Sequence, residues 1–186
     1  MTAESTLKDA EHKMQRAVEV TRDEFTTVRT GRATPAILNR ITVDYYGAPT
    51  PLNQLASFSV PEPRLLVIQP YDKNSMSAME RAIMQSDLGL TPSNDGNVIR
   101  LAFPQLTEER RKELIKVVHQ RSEDGRVAIR NVRRHAKEEL ERLQKDGEIS
   151  EDDLARAEKE LQKTTDRYVA EIDEMLRHKE QELMEV

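Results

Sequence analysis

The sequence predicts an α+β protein, in which a long three-helix bundle carries a small inserted α/β domain that is β-sandwich-like. Three observations predict this fold. All eight prolines lie between Pro35 and Pro104, so both outer segments have none. In those outer segments apolar residues recur every three or four positions, whereas short β-rich runs occupy the middle. Because proline interrupts helices, long helices can run only in the two outer segments.

The first outer segment predicts one helix with a single apolar stripe. The stripe consists of Leu7, Ala10, Met14, Ala17, Thr21, Phe25 and Val28. We expect Ser5 or Thr6 to cap its start and Gly31 to supply the left-handed residue that ends it. A helix of this kind needs partner helices to cover its stripe.

The last segment predicts two further helices joined by a tight turn. Thr107 is the expected cap of the first, which runs to about residue 145 and is on the order of 60 Å long. Gly147 is the expected terminator, and Ser150 with Asp153 forms a capping-box-like start for the next helix. Such a short break makes the two helices antiparallel. Their apolar residues include Val118, Ile129, Leu140, Leu143, Leu154, Leu161, Ile172 and Leu183.

The middle segment predicts a separate small domain. Its β-rich runs and one helix lie at 41–46, 57–60, 65–68, 75–88 and 98–101. We therefore assign 1–30 and 106–186 to the bundle and 31–105 to the insert, with hinge connectors at 30–34 and 102–106. The hinge residues are Thr30, Gly31, Arg32, Ala33, Thr34, Ala102, Phe103, Pro104, Gln105 and Leu106.

The composition excludes several classes of protein. Only 37% of the 186 residues are hydrophobic and 34% are charged, which suits narrow helical seams better than a large globular core. The absence of cysteine excludes disulfides and thiolate sites. Neither a signal-like segment nor a run of roughly 20 apolar residues is present, so we expect a cytoplasmic protein without a membrane span.

One helical face is strongly basic although the net charge of the chain is −5. Residues 105–147 carry 12 Lys and Arg against 9 Asp and Glu, whereas 148–186 carry 6 against 13. Within 126–137 there are five cations and no carboxylate, and their spacing places them on one face. They are Arg126, Arg130, Arg133, Arg134 and Lys137, with Lys112 and Lys116 upstream on nearly the same line. Such a face is either solvated or binds phosphate.

No catalytic or metal-binding constellation is visible. The histidines at 12, 119, 135 and 178 lack ligand spacing, and no phosphate-binding loop or nucleophile motif occurs. Met76, Met79 and Met84 are expected to fill the core of the small domain. We therefore expect a protein that is not an enzyme and binds no metal.

Five segments resemble the ribosome recycling factor family in order and spacing. They are VRTGRATP (28–35), YYGAPTPLNQLA (45–56), SDLGLTP (86–92), LTEERRKEL (106–114) and RVAIRNVRRHAK (126–137). The similarity spans the whole chain. It implies an L-shaped two-domain protein that is similar in outline to a tRNA, with the small domain attached by two hinge strands.

The same resemblance implies a function after translation termination. With elongation factor G and GTP hydrolysis, members of the family split the post-termination ribosome into subunits and free mRNA and tRNA. The GTP is used by the translocase, so this chain is expected to need no cofactor. The implied partners are the ribosome, chiefly large-subunit rRNA, and elongation factor G, with the chain itself monomeric.

The resemblance also implies the residues that contact rRNA. Arg29 and Arg32 stand in VRTGR, and Arg130, Arg133 and Arg134 stand in IRNVRR, with Arg133 the first choice for the decisive contact. Arg126, Lys112 and Lys116 are added from the charge pattern. The alternative to recycling is a helical-hairpin adaptor whose apolar seams bind a partner protein, and an enzyme is a more distant third.

Overall fold

The computed structural model of the chain describes residues 2–185, which form two compact units. One unit joins the chain up to Val28 with Glu108–Glu185, and the other comprises Arg29–Thr107. In chain order the elements are α1 (Ala3–Thr26), β1 (Thr42–Tyr45), β2 (Ala48–Pro51), β3 (Ala56–Glu62), β4 (Leu65–Pro70), α2 (Met76–Gln85), β5 (Pro92–Asn94), β6 (Ile99–Ala102), α3 (Glu108–Lys145) and α4 (Glu151–Met184). The predicted α+β class, with three long helices and a small sheet domain, is confirmed.

Helix α1 begins and ends at other residues than predicted. Thr2 is its N-cap: Thr2 Oγ1 accepts from the Ser5 amide at 3.1 Å, and Ser5 Oγ accepts from the Thr2 amide at 2.9 Å. The expected caps Ser5 and Thr6 are already inside the helix, because this capping box needs the hydroxyl one turn earlier. Gly31 has the left-handed φ of +79°, but the helix has ended at Thr26 and this glycine belongs to the connector.

The turn between α3 and α4 has the predicted geometry. Gly147 has a φ of +75°, its amide donates to Gln144 O at 3.0 Å, and the Glu148 amide donates to Leu143 O at 2.9 Å. These two bonds satisfy the last carbonyls of α3 in a Schellman motif. Ser150 and Asp153 then form the predicted capping box that starts α4. The pairs Arg126–Asp173 and Arg133–Gln162 show that α3 and α4 run antiparallel.

The three long helices pack in all pairs around one apolar core. Ile129, Leu140 and Ile172 are fully buried there, so the helices of this chain cover the seams that an adaptor would have to expose. Gly125 of α3 faces both of the other helices. A Cβ at this position would lie 2.3 Å from Thr21 Oγ1 of α1 and 2.9 Å from Ile172 Cδ1 of α4.

The small domain combines a hairpin, a four-stranded sheet and α2. All strand pairs are antiparallel; β1 pairs with β2, and the second sheet has the order β3-β4-β6-β5. Val43 of the hairpin, Ile68 of the sheet and Ile83 of α2 lie in one buried cluster. Met76 and Met79 contribute to this core as predicted, whereas Met84 is 63% exposed, so its prediction was wrong.

Two strands in the small domain were not predicted. Strand β2 contains Pro49 and Pro51 and pairs only with β1, and β5 begins at Pro92 and pairs only with β6. Proline lacks an amide donor, so it is tolerated where a strand has one neighbour and needs hydrogen bonds on one side only. The same prolines suppress the sequence signal for a strand.

Candidate nucleic-acid interface

The exposed part of the basic face consists of four cations of α3. The Lys112 ammonium lies 3.4 Å from Glu108 Oε1, and Arg130 Nη1 lies 3.1 Å from Glu123 Oε1. Arg134 and Lys116 are exposed and form no ion pair or hydrogen bond with any other residue in 2–185. These two side chains are therefore the cations of the face that are most available to an anion.

Arg126 is directed to α4 instead. Its Nε donates to Asp173 Oδ1 at 2.8 Å and its Nη1 to Glu123 Oε2 at 3.2 Å, and only 18% of the side chain is exposed. Burial opposes the charge of Arg126, but the bonds and charges of Asp173 and Glu123 outweigh it and raise its pKa. The Arg130 and Arg126 guanidinium groups in turn lower the pKa of Glu123. These contacts favour a structural role for Arg126 in the α3–α4 hairpin.

Arg133 is intermediate between the exposed cations of the basic face and Arg126, which is directed to α4. It is half-buried, and its Nε donates to Gln162 Oε1 of α4 at 2.8 Å. No other described residue forms a hydrogen bond or ion pair with its guanidinium. Gln162 is neutral and its own amide donates to Asp166 Oδ1 at 2.8 Å, so the charge of Arg133 is oriented rather than neutralised.

Although the run of five cations contains no carboxylate, most of its side chains have polar partners elsewhere in the bundle. The partners come from outside the run, namely Glu123 upstream and Glu141 downstream on α3, and Asp173 and Gln162 on α4. The sequence could have indicated Glu123, because it precedes Arg126 by three positions and Arg130 by seven on the same face. The α4 acceptors depend on the register of the helical hairpin, which the sequence pattern does not give.

The two connector arginines belong to the small unit. The Arg29 guanidinium donates to the carbonyls of Leu88 and, at 2.9 Å, Asp87, the residues that follow α2. These bonds fasten the start of the connector to the small domain, a contact that sequence reasoning missed. Arg32 is exposed, and its amide donates to Thr30 Oγ1 at 3.4 Å.

The predicted hinge connectors are partly held by the turn between β3 and β4. The Ala33 amide donates to Pro63 O and the Phe103 amide to Arg64 O, each at 2.8 Å. Ala102 is the last residue of β6, and Phe103 is buried in the domain core. At the other end of the connectors, a Cβ on Gly31 would lie 3.3 Å from Leu106 Cγ.

The described residues contain no cluster of side chains suited to a metal ion. In residues 2–185 no group of three or more His, Cys, Asp or Glu side chains is arranged to hold a metal ion. The histidines are dispersed: His119 pairs with Glu180, His135 lies 3.8 Å from Glu138, and His178 lies 3.4 Å from Glu174. Among the described helices none has the length and apolarity that a membrane crossing requires.

A family model described as ribosome recycling factor matches residues 21–184. The chain belongs to the ribosome recycling factor family. It is 61% identical over 183 residues to the ribosome-recycling factor of Acidothermus cellulolyticus, covering 98% of this chain and 99% of the relative. The corresponding protein of Thermobifida fusca is 60% identical with the same coverage. As a family member, the chain is a translation factor and not an enzyme.

Solved structures show the same relationship. A solution structure of the ribosome recycling factor has a TM-score of 0.83 and 45% identity, covering all of this chain and 99% of the other. A second match has a TM-score of 0.69 and 48% identity, covering 98% and 99%. It comes from models of the T. thermophilus ribosome recycling factor and E. coli elongation factor G bound to the E. coli post-termination complex.

Proposed function

We propose that this chain recycles ribosomes by anchoring its helical unit on rRNA through the arginine face of α3. It binds the post-termination ribosome and, with elongation factor G and GTP hydrolysis, promotes splitting into subunits and release of mRNA and tRNA. Family membership over nearly the whole chain carries this function. The exposed, unpaired Arg134 is the observation that best supports α3 as the anchoring surface.

The physical basis of anchoring is neutralisation of phosphate charge. A guanidinium donates two parallel hydrogen bonds to a phosphate, and each contact releases condensed counterions. Arg130, Arg133 and Arg134 supply three such groups within two turns of α3, and Gln162 orients the middle one. We assign Lys112 and Lys116 to the same surface and keep Arg29 and Arg32 as contacts from the connector.

The remaining parts of the proposal follow from the partners. Elongation factor G uses the GTP, so the chain requires no cofactor of its own. Because its partner is the ribosome, we place the protein in the cytoplasm and expect it to act as a monomer.

The proposal also assigns a movement to the two domains. The insert 31–105 is the part that moves relative to the bundle of 1–30 and 106–186.

Binding to large subunits at several salt concentrations tests the anchoring surface. We expect Arg133→Ala and Arg134→Ala each to weaken binding and to reduce the slope of log K against log salt by about 0.7 to 1, the effect of losing one phosphate contact. Arg177→Ala is the matched control, because Arg177 is an exposed arginine of α4 that pairs with Glu174. Helicity should be unchanged in all three variants. Equal salt slopes for the wild type and both α3 variants would contradict this surface.

A further inference from the structure

Two of the four tyrosines of the chain donate hydrogen bonds to one carboxylate in the small domain, and a third precedes that carboxylate in the sequence. Tyr46 Oη donates to Asp72 Oδ2 at 3.0 Å and Tyr45 Oη to the same atom at 3.4 Å, and Tyr71 immediately precedes Asp72. We call Tyr45, Tyr46, Tyr71 and Asp72 the tyrosine tip. Tyr46 is 77% and Tyr71 73% exposed, whereas the fourth tyrosine, Tyr168, is buried in the bundle. The small domain therefore presents two large rings to solvent, although the protein is poor in aromatic residues.

The backbone at Tyr46 is strained for this residue type. The pair Tyr45–Ala48 closes the β1–β2 hairpin, so Tyr46 and Gly47 form a two-residue turn with φ of +49° and +85°. Asn-Gly is the favoured sequence for such a turn, and a bulky residue with positive φ is an outlier. The ring of Tyr46 packs edge-on against Tyr45, with centroids 4.6 Å apart, and does not enter the core. A strained, exposed aromatic residue points to a role outside folding.

The charge of Asp72 is fixed beside these rings. Its Oδ1 accepts the Asn74 amide at 3.0 Å, and this bond, followed by the one from Tyr46, lowers the pKa of Asp72. The carboxylate is thus ionised at neutral pH. The adjacent Lys73 is charged, but its ammonium donates to Asn97 Oδ1 at 2.9 Å and forms no ion pair with Asp72. A cation is attracted both by the face of a tyrosine ring and by this carboxylate, whereas a phosphate is repelled.

We propose that the tyrosine tip docks an arginine or lysine side chain of a protein partner in the recycling complex. The cation would lie over the face of Tyr46, close to the Asp72 carboxylate that accepts the hydrogen bond of this tyrosine. An RNA strand could stack a base on the same rings, but it would bring its phosphates towards that carboxylate. The surface belongs to the small unit and not to the arginine face of α3, so it adds a protein contact to the proposed RNA contact. The choice of partner rests on the proposed function.

Site-specific photocrosslinking identifies what lies on the tip. We would replace Tyr46 by p-benzoylphenylalanine in the full chain and irradiate it with purified post-termination ribosomes and elongation factor G. The expected product is a crosslink to a protein, at a peptide that carries Arg or Lys. The same label at Arg134 reports the α3 surface, and at Met84, which is exposed on α2, it reports background.

The label at Arg134 separates the two proposals. The tip proposal alone is overturned if position 46 crosslinks to rRNA. It is also overturned if position 46 gives no crosslink above the Met84 background while position 134 does crosslink. Silence at both positions overturns ribosome anchoring together with the tip.

Two substitutions test the chemistry without relying on a crosslink. Asparagine suits the turn better than tyrosine, so we expect Tyr46→Asn to raise the melting temperature. The same substitution should lower the affinity for the ribosome–elongation factor G complex about twofold to fivefold, because it removes an exposed cation–π pair of that strength. Asp72→Asn keeps an acceptor for the Asn74 amide but removes the charge, and it should also weaken binding. Unchanged affinity in Tyr46→Asn, or tighter binding in Asp72→Asn as expected for a phosphate partner, overturns the proposal.

Discussion

Single residues set the spacing of the bundle, and Gly125 does so where all three helices meet. The side chain that would clash with a Cβ here, Thr21, is itself held by a hydrogen bond from its Oγ1 to Ala17 O at 2.9 Å and is 2% exposed. Thr21 therefore has little freedom to withdraw. Close helix contact at this level depends on the absence of one methyl group.

Gly125→Ala should lower the free energy of unfolding although alanine is the better helix former. Overpacking costs typically about 1–3 kcal/mol and exceeds the helix-propensity gain of about 1 kcal/mol, so we expect a net loss of up to about 2 kcal/mol in urea unfolding. The double variant with Thr21→Ala removes the nearest contact and should recover part of that loss. A stabilised Gly125→Ala variant would show that the helices can separate without penalty.

Asp95 gives the small domain an acid-sensitive turn. Its carboxylate accepts the amides of Val98 and Asn97, each at 2.9 Å, and Arg100 Nη1 at 2.7 Å. These bonds hold the pKa of Asp95 well below its usual range. Because the folded pKa is depressed, the stabilisation is present above the unfolded pKa of about 3.9 and is lost as the pH falls below it.

Asp95→Asn should flatten this pH dependence. The variant should be less stable than the wild type at pH 7, and the difference should shrink as the pH falls from about 5 to below 3. Urea titrations followed by the NMR signals of β6 at each pH would measure it. The other carboxylates are common to both proteins and cancel in the comparison. Parallel stability curves for the two proteins would rule out this role of Asp95.

At the scale of elements, the cap of α4 is a local device that supports a 34-residue helix. The Asp153 amide donates to Ser150 Oγ at 3.0 Å and satisfies one of the free donors of the first turn. We expect Ser150→Ala to lower the free energy of unfolding by about 1 kcal/mol, and Ser150→Thr, which keeps the hydroxyl, to lose less. Urea unfolding monitored by circular dichroism provides the measurement. Equal midpoints for the wild type and Ser150→Ala would mean that water replaces the cap.

How far each element could be predicted depends on the range of the interactions that form it. Helices α1, α3 and α4 carry a 3.6-residue period over many turns, so the sequence predicts them, and it also predicts that α3 ends at Gly147. Strands β2 and β5 are only four and three residues long and contain proline, so their pairing depends on a neighbouring strand. The basic face of α3 is a one-helix pattern and was predictable. Its acceptors on α4 were not, and neither was the meeting of Tyr46 with Asp72, because both need tertiary structure.

At the scale of the whole molecule, the two connectors join the units that we propose to move relative to each other. Ala33, Phe103 and the Arg29 guanidinium are all bonded to the small domain, so we propose that rotation occurs outside these bonds, next to Val28 and Leu106. Deleting Gln105 shortens one connector and should leave ribosome binding unchanged while slowing subunit splitting.

Two measurements check the connector: ribosome co-sedimentation for binding and light scattering for splitting. Gln105→Gly keeps the connector length and should split ribosomes more nearly at the wild-type rate. If the deletion variant splits ribosomes as fast as the wild type, the connector is not the hinge.

Because the small domain is inserted between α1 and α3, the order of synthesis separates α1 from the helices that cover it. The insert is contiguous and can fold as soon as it leaves the exit tunnel, whereas the apolar stripe of α1 stays uncovered until α3 and α4 exist. At roughly 5–20 residues per second, the last 79 residues take about 4 to 16 seconds. During that interval α1 is a nascent amphipathic segment without a partner. The polar side chains that border its stripe therefore also protect the growing chain from aggregation.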